Sequence, residues 1–201
     1  MRHLIYLCFP RAKIIHTRRH PFDQALSMHT KIFQSADTFP YSTDMNEFAK
    51  HFVRYRKLMD MWSEVLPSDA LLHVDYEELV QNFEEVSNSI LRFSELSWEA
   101  EVRNFFNSRR AVYTASAQSV RKPVFNSSIA RWKHFAATSW IQPLLSLLGE
   151  DRNFVSEEDV SFANTATILH VSRHATPPLP PQQNTISYFE LAFALALALA
   201  L

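Results

Sequence analysis

Residues 12 to 31 read AKIIHTRRHPFDQALSMHTK. Ile14 and Ile15 are β-branched and stand in a short apolar run, as a buried strand requires. Pro21 suits the first position of a following helix, where its missing amide hydrogen has no intrahelical partner. The stretch predicts strand, turn and helix, with Arg18 and Arg19 at the carboxyl end of the strand. Ligands collect at that edge of an open parallel sheet because backbone amides and a helix N-terminus favour negative charge, and an arginine fork matches a phosphate. Ser27 follows Arg19 by eight residues and adds a hydroxyl.

Outward from this stretch, residues 44–66 place Phe48, Phe52, Tyr55, Leu58, Met59, Trp62 and Leu66 at spacings of three and four, an amphipathic helix. It stops at Pro67-Ser68-Asp69, and ALLHVDY, residues 70–76, is a compact apolar run suited to a second buried strand ending at Tyr76. Helical spacing returns over Glu77 to Phe93. This β-α-β-α order argues for an α/β fold, a partial parallel sheet covered by helices. After a connecting stretch around Trp98, residues 109–125 are polar and aperiodic and read as a long functional loop. A helix is expected from the capping residues Asn126-Ser127-Ser128 through Trp132 and Leu144 to Gly149. In its first turn Arg131 and Lys133 stand near the positive end of the dipole, which an anion would relieve. With Arg121 and Lys122 upstream they form a cationic group pointing to a ligand phosphate.

Composition limits the alternatives. A chain of 201 residues, 47% hydrophobic, can bury the core of one domain. Residues 1–149 hold 18 Lys/Arg against 15 Asp/Glu, and residues 150–201 hold 2 against 6. A surplus of three can line one anion pocket but is too small for the footprint of a nucleic-acid binder. The single cysteine, Cys8, excludes an intramolecular disulfide and a cysteine-rich metal site, and within its apolar run it reads as a small buried hydrophobe. No His/Cys/Asp/Glu pattern has metal-site spacing, so no metal is expected. Gly149 is the only glycine where an average chain would hold roughly fourteen, so a glycine-rich phosphate loop is absent from these residues. The apolar run Leu4–Phe9 is too short for a signal-peptide core, and a cytoplasmic location is expected. Residues 1–150 are assigned to the folded domain and 151–201 to a linker and tail. The latter, with PPLPP at 177–181 and an apolar repeat after Glu190 too short to span a bilayer, is expected to be disordered.

Three segments carry a family resemblance: FPRAKIIHTRRHPFDQALS (9–27), VDYEELV (74–80) and RRAVYTASAQSVRKPVFNSSIARWKHF (109–135). In order and separation they resemble the carboxyl two-thirds of sulfotransferases of the tyrosylprotein group, including bacterial relatives fused to tetratricopeptide repeats. The resemblance implies a P-loop-like α/β fold and transfer of a sulfuryl group from 3′-phosphoadenosine-5′-phosphosulfate (PAPS) to a hydroxyl acceptor, including protein or peptide tyrosine. It also implies that Arg19 and Ser27 hold the 3′-phosphate, with Lys31 one turn later as a further cation. Tyr76 matches a tyrosine near the nucleotide, Ser116 a serine of the closing loop, and Arg131 the position before Trp132 where tyrosylprotein enzymes carry lysine. Arg121 and Lys122 both remain candidates for a phosphate contact. The family's 5′-phosphosulfate loop and its catalytic carboxylate or histidine lie upstream of the matching segment, so the catalytic residue is unassigned here. At Glu95-Leu96-Ser97-Trp98 the relatives generally have a glycine turn, which these residues lack.

Each assignment has an ordinary alternative. Arg19 pairs with Asp23 or Asp75, Ser27 is a small packing residue, Tyr76 and Trp132 are core rings, and the histidines His16, His20 and His29 are general-base candidates without a visible partner. Two functions follow: a sulfotransferase domain of which this chain keeps the 3′-phosphate half, or a non-catalytic remnant that binds nucleotide weakly or associates through apolar surface.

Overall fold

The computed structural model describes residues 8–9, 11–30, 40–108, 121–148 and 155–171. Strand β1, Ile14–Arg18, pairs in parallel with β2, Leu71–Asp75, in a register that sets His16 opposite His73 and Arg18 opposite Asp75. A parallel pair needs a crossover rather than a tight turn, and helices α1, Pro21–His29, and α2, Met45–Val65, lie in that connection. Pro21 takes the first helical position as expected. The start of α2 is capped by Asp44, whose Oδ1 accepts the amides of Asn46 at 2.7 Å and Glu47 at 3.2 Å. The two strands, the parallel pairing and the long helix agree with the sequence reading.

Four expectations are corrected. The helix over Glu77–Phe93 is two, α3 Tyr76–Gln81 and α4 Phe83–Phe93, because Asn82 leaves helical dihedrals at φ −124° and ψ 51°. The single helix over 126–149 does not form: Ala130 is left-handed at φ 53°, Arg131–Phe135 and Ser139–Ile141 are 3-10 turns, and only Gln142–Leu148 is α-helical. Pro143 explains the late start, since deep in a longer helix its ring would collide with the carbonyl four residues back. Part of the expected disordered tail is the helix Glu157–Val171. Cys8 is exposed, not a buried hydrophobe. With the short helix Ala100–Arg103 as α5, Gln142–Leu148 and Glu157–Val171 become α6 and α7.

The described residues fall into two compact units. The sheet unit takes those of Met1–Arg19 and Leu58–Asn126; the helical unit takes those of His20–Lys57 and Ser127–Thr185. The sheet unit buries Met59, Trp62, Val74, Leu79, Ile90 and Leu91. Across its strands His16 and His73 meet Nδ1 to Nδ1 at 2.7 Å. His73 Nε2 lies 2.9 Å from Ser63 Oγ, which donates to the Met59 carbonyl at 2.9 Å. The helical unit is organised around Phe22, Leu26, Phe48, Trp132, Leu144 and Leu148, all within one buried cluster that Val155 and Ala163 join from the α7 segment.

Helix α4 closes with the backbone pattern of a Schellman motif. The Leu96 amide donates to the Leu91 carbonyl at 2.9 Å and the Glu95 amide to the Arg92 carbonyl at 3.1 Å, with Glu95 left-handed at φ 60°. That geometry falls where the resembling family carries its glycine turn. The turn is thus made without the residue that makes it easiest.

Candidate functional site

In the sheet unit the end of β1 presents two arginines with different duties. Arg18 donates from Nε and Nη2 to Asp75 Oδ1 and Oδ2 at 2.8 and 2.6 Å, a bidentate pair between register partners. Asp75 is therefore engaged by Arg18. One residue on, Arg19 is buried and carries its guanidinium 4.7 Å from the ring centroid of Tyr76, itself buried at the start of α3. Stacking engages the face of a guanidinium, whose N–H groups donate in its plane, so a planar cation is fixed at the carboxyl edge of the strand. Arg19 and Tyr76 are the two predicted site residues that the structure brings into contact here.

The other predicted residues are placed as follows. Ser27 lies on α1 in the helical unit, buried with Phe22, Ala25 and Leu26, so it serves the packing of that helix whatever else its hydroxyl holds. Arg121 is exposed, and its Nη1 donates to the Ser108 carbonyl at 2.7 Å; Lys122 is exposed. Arg131 opens the 3-10 turn before Trp132 and is half-buried. The dipole argument for Arg131 and Lys133 does not hold, because they sit in a five-residue 3-10 turn rather than the first turn of a long helix. Lys31 and Ser116 lie outside the described residues.

The helical unit holds a second polar group, which the sequence reading missed. Trp132 is buried at 1% exposure and acts as its hub. His20 stacks on it at 5.6 Å with the planes 2° apart, Phe22 and Phe162 meet it edge-on at 4.8 and 5.9 Å, and its amide donates to Asp23 Oδ1 at 2.8 Å. Around this hub Asp159 draws together a lysine and a histidine. Lys133 Nζ is 3.0 Å from Oδ1 and His20 Nε2 is 3.3 Å from Oδ2. Burial pushes the Asp159 carboxyl up, but hydrogen bonds from Ser156 and Lys133 and the charges of His20 and Lys133 outweigh it, leaving the carboxyl below its ordinary value. Ser156 also caps the start of α7: its Oγ accepts the Asp159 amide at 3.2 Å, and its hydroxyl donates to Asp159 Oδ2 at 2.7 Å. The sequence signal Ser156-Glu157-Glu158-Asp159 was present and marks the start of α7.

Residues 2–100 match the Sulfotransferase family. The sulfotransferase-like span contains β1, α1, α2, β2, α3 and α4, and with them Arg19, Ser27, Lys31 and Tyr76. The helix-rich α/β structure with its small parallel sheet is consistent with a sulfotransferase fold. An uncharacterized protein of Aquifex aeolicus (strain VF5) is 32% identical over 148 residues, 73% of this chain. The chain spans 19% of that relative's length. No solved structure matches the chain. Among the described residues no group of three or more His, Cys, Asp or Glu is arranged to hold a metal ion, and no helix is long and apolar enough to cross a membrane.

Proposed function

We propose that this chain carries the 3′-phosphate-binding half of a sulfotransferase that uses PAPS and modifies a hydroxyl, with protein or peptide tyrosine as the acceptor class. The observation that supports it most is Arg19: a buried guanidinium at the carboxyl edge of a parallel strand, laid over Tyr76 at 4.7 Å. A buried arginine in such a place suits a dianionic ester, because its fork matches phosphate oxygens and low exposure strengthens the attraction. In this reading Arg19 supplies the fork and Ser27 a hydroxyl that orients the phosphate. Lys31 and Arg131 add positive charge, Tyr76 holds the Arg19 plane, and Ser116, Arg121 and Lys122 close the site from the loop. The bound nucleotide supplies the sulfuryl group, whose sulfur–oxygen bond to phosphate breaks as a bond to the acceptor oxygen forms and the acceptor proton is released.

A second reading, nucleotide binding or association without turnover, is favoured by Leu58, Met61 and Val65, exposed at 47, 39 and 58% along one stripe of α2.

Calorimetric titration with adenosine 3′,5′-bisphosphate tests the site. Wild type is expected to bind, and Arg19→Ala to weaken binding about tenfold to a hundredfold through loss of charge-assisted hydrogen bonds. Arg19→Lys should fall between them, since it keeps the charge and loses the fork. Equal affinity in all three overturns the assignment. Transfer of labelled sulfate from PAPS to a tyrosine peptide then separates an enzyme from a binder.

A further inference from the structure

We propose that His20 and Lys133 form an oxyanion cradle filled in this structure by the carboxylate of Asp159, so that Asp159 competes with a nucleotide phosphate for these donors. The proposal rests on the phosphate-binding reading above and assigns its regulation to α7. An ammonium at 3.0 Å and an imidazole at 3.3 Å meet the two carboxylate oxygens. Neither donor is selective for carboxylate: both suit any oxyanion, and a phosphate with nearly two charges draws them more strongly than a carboxylate with one.

The cradle is preformed on one side. His20 is fixed flat against Trp132, and Lys133 Nζ lies 5.6 Å from the Trp132 ring centroid and 5.3 Å from that of Phe162. Trp132 is itself held through its amide by Asp23. The carboxylate arrives from the other side on α7, which joins the core through small groups: Ala163 is buried, and Val160 and Ala166 are partly buried. Lys133 also sits two residues from Arg131, a cation of the same unit assigned to the phosphate. A built-in anion at this position lowers nucleotide affinity until it is displaced.

The test is Asp159→Asn, which keeps the shape of the side chain and removes its charge, titrated with adenosine 3′,5′-bisphosphate and separately with inorganic pyrophosphate. The variant is expected to bind about tenfold more tightly than wild type, as removal of one nearby competing charge predicts. The gain should shrink at high salt. It should also vanish in the double variant Lys133→Met with Asp159→Asn. If Asp159→Asn loses its native circular dichroism, Asp159→Ser, which retains a short polar cap, takes its place with the same expectation.

Unchanged or weaker binding by a folded charge-free variant overturns the cradle. Should wild type bind through Arg19 while Asp159→Asn binds no better, the cradle falls and the nucleotide reading stands. If only pyrophosphate binds, tighter without Asp159 and only with Lys133 present, the cradle stands and the nucleotide reading falls. Binding of neither anion to either protein removes both.

Discussion

Asp23 shows how a single side chain joins local geometry to the core. It is 2% exposed, and its Oδ1 accepts the Trp132 amide at 2.8 Å, so the buried turn at 131–135 is satisfied by a residue of α1. Asp23→Ala leaves that buried amide without its acceptor and is expected to cost about 1–3 kcal/mol in denaturant unfolding. Asp23→Asn keeps an acceptor oxygen and should lose less. If alanine and asparagine prove equally mild, the Trp132 amide does not depend on this contact. Sequence proximity offers Asp23 as an ion partner for Arg19. Its bond to a backbone amide 109 residues away was beyond the reach of sequence spacing.

At the scale of the element, the end of α4 makes a sharper demand. Glu95 holds φ 60°, a region that costs an L-residue with a Cβ roughly 1 kcal/mol and costs glycine little. Its ion pair with Lys13 at 3.6 Å involves a carboxylate 79% exposed, so little is lost with the side chain. Glu95→Gly is therefore expected to stabilise the protein by about 0.5–1 kcal/mol, read as a higher thermal midpoint, while Glu95→Val lowers it. A glycine variant that melts earlier would contradict the strained cap. Elements written in strong periodicity, such as α2, or punctuated by proline, such as α1, were legible in the sequence. Helix α7 was not, because Ala163 and Ala166 bury faces too small to register as an apolar stripe, although its capping serine was in plain view. The break at Ala130, left-handed at φ 53°, carries no glycine or proline to announce it.

At the scale of the whole molecule, His51 and Asp159 both contribute to the acid side of the stability profile. Burial and the neighbouring Arg54 lower the pKa of His51, whose ring stacks on Tyr41 at 4.2 Å. The unfolded chain then takes up this proton first, near pH ~6.5, so the contribution is intact above that value and declines as pH falls through the window beneath it. The Asp159 carboxyl is also lowered, so its contribution persists above about pH 4 and is lost below, as protonation removes the charge that Lys133 and His20 meet. Stability measured by urea unfolding should decline in two stages. His51→Gln is expected to flatten the first and leave the second; an unaltered slope between pH 6.5 and 5 rejects that role for His51. Of the candidate site, Arg19 and its strand-edge position were legible because a parallel strand fixes what stands at its end. The Asp159 cluster was not, since its members come from three segments that only tertiary packing unites.

The chain of contacts through His16, His73 and Ser63 fixes where its hydrogens reside. A hydroxyl owns one proton, and Ser63 gives it to the Met59 carbonyl. With both rings neutral, His73 then lends its Nε2 hydrogen to Ser63 and accepts at Nδ1 the hydrogen that His16 supplies from its own Nδ1. Two like rings are thereby opposite tautomers, and the dipoles along the relay all point from β1 through β2 into α2.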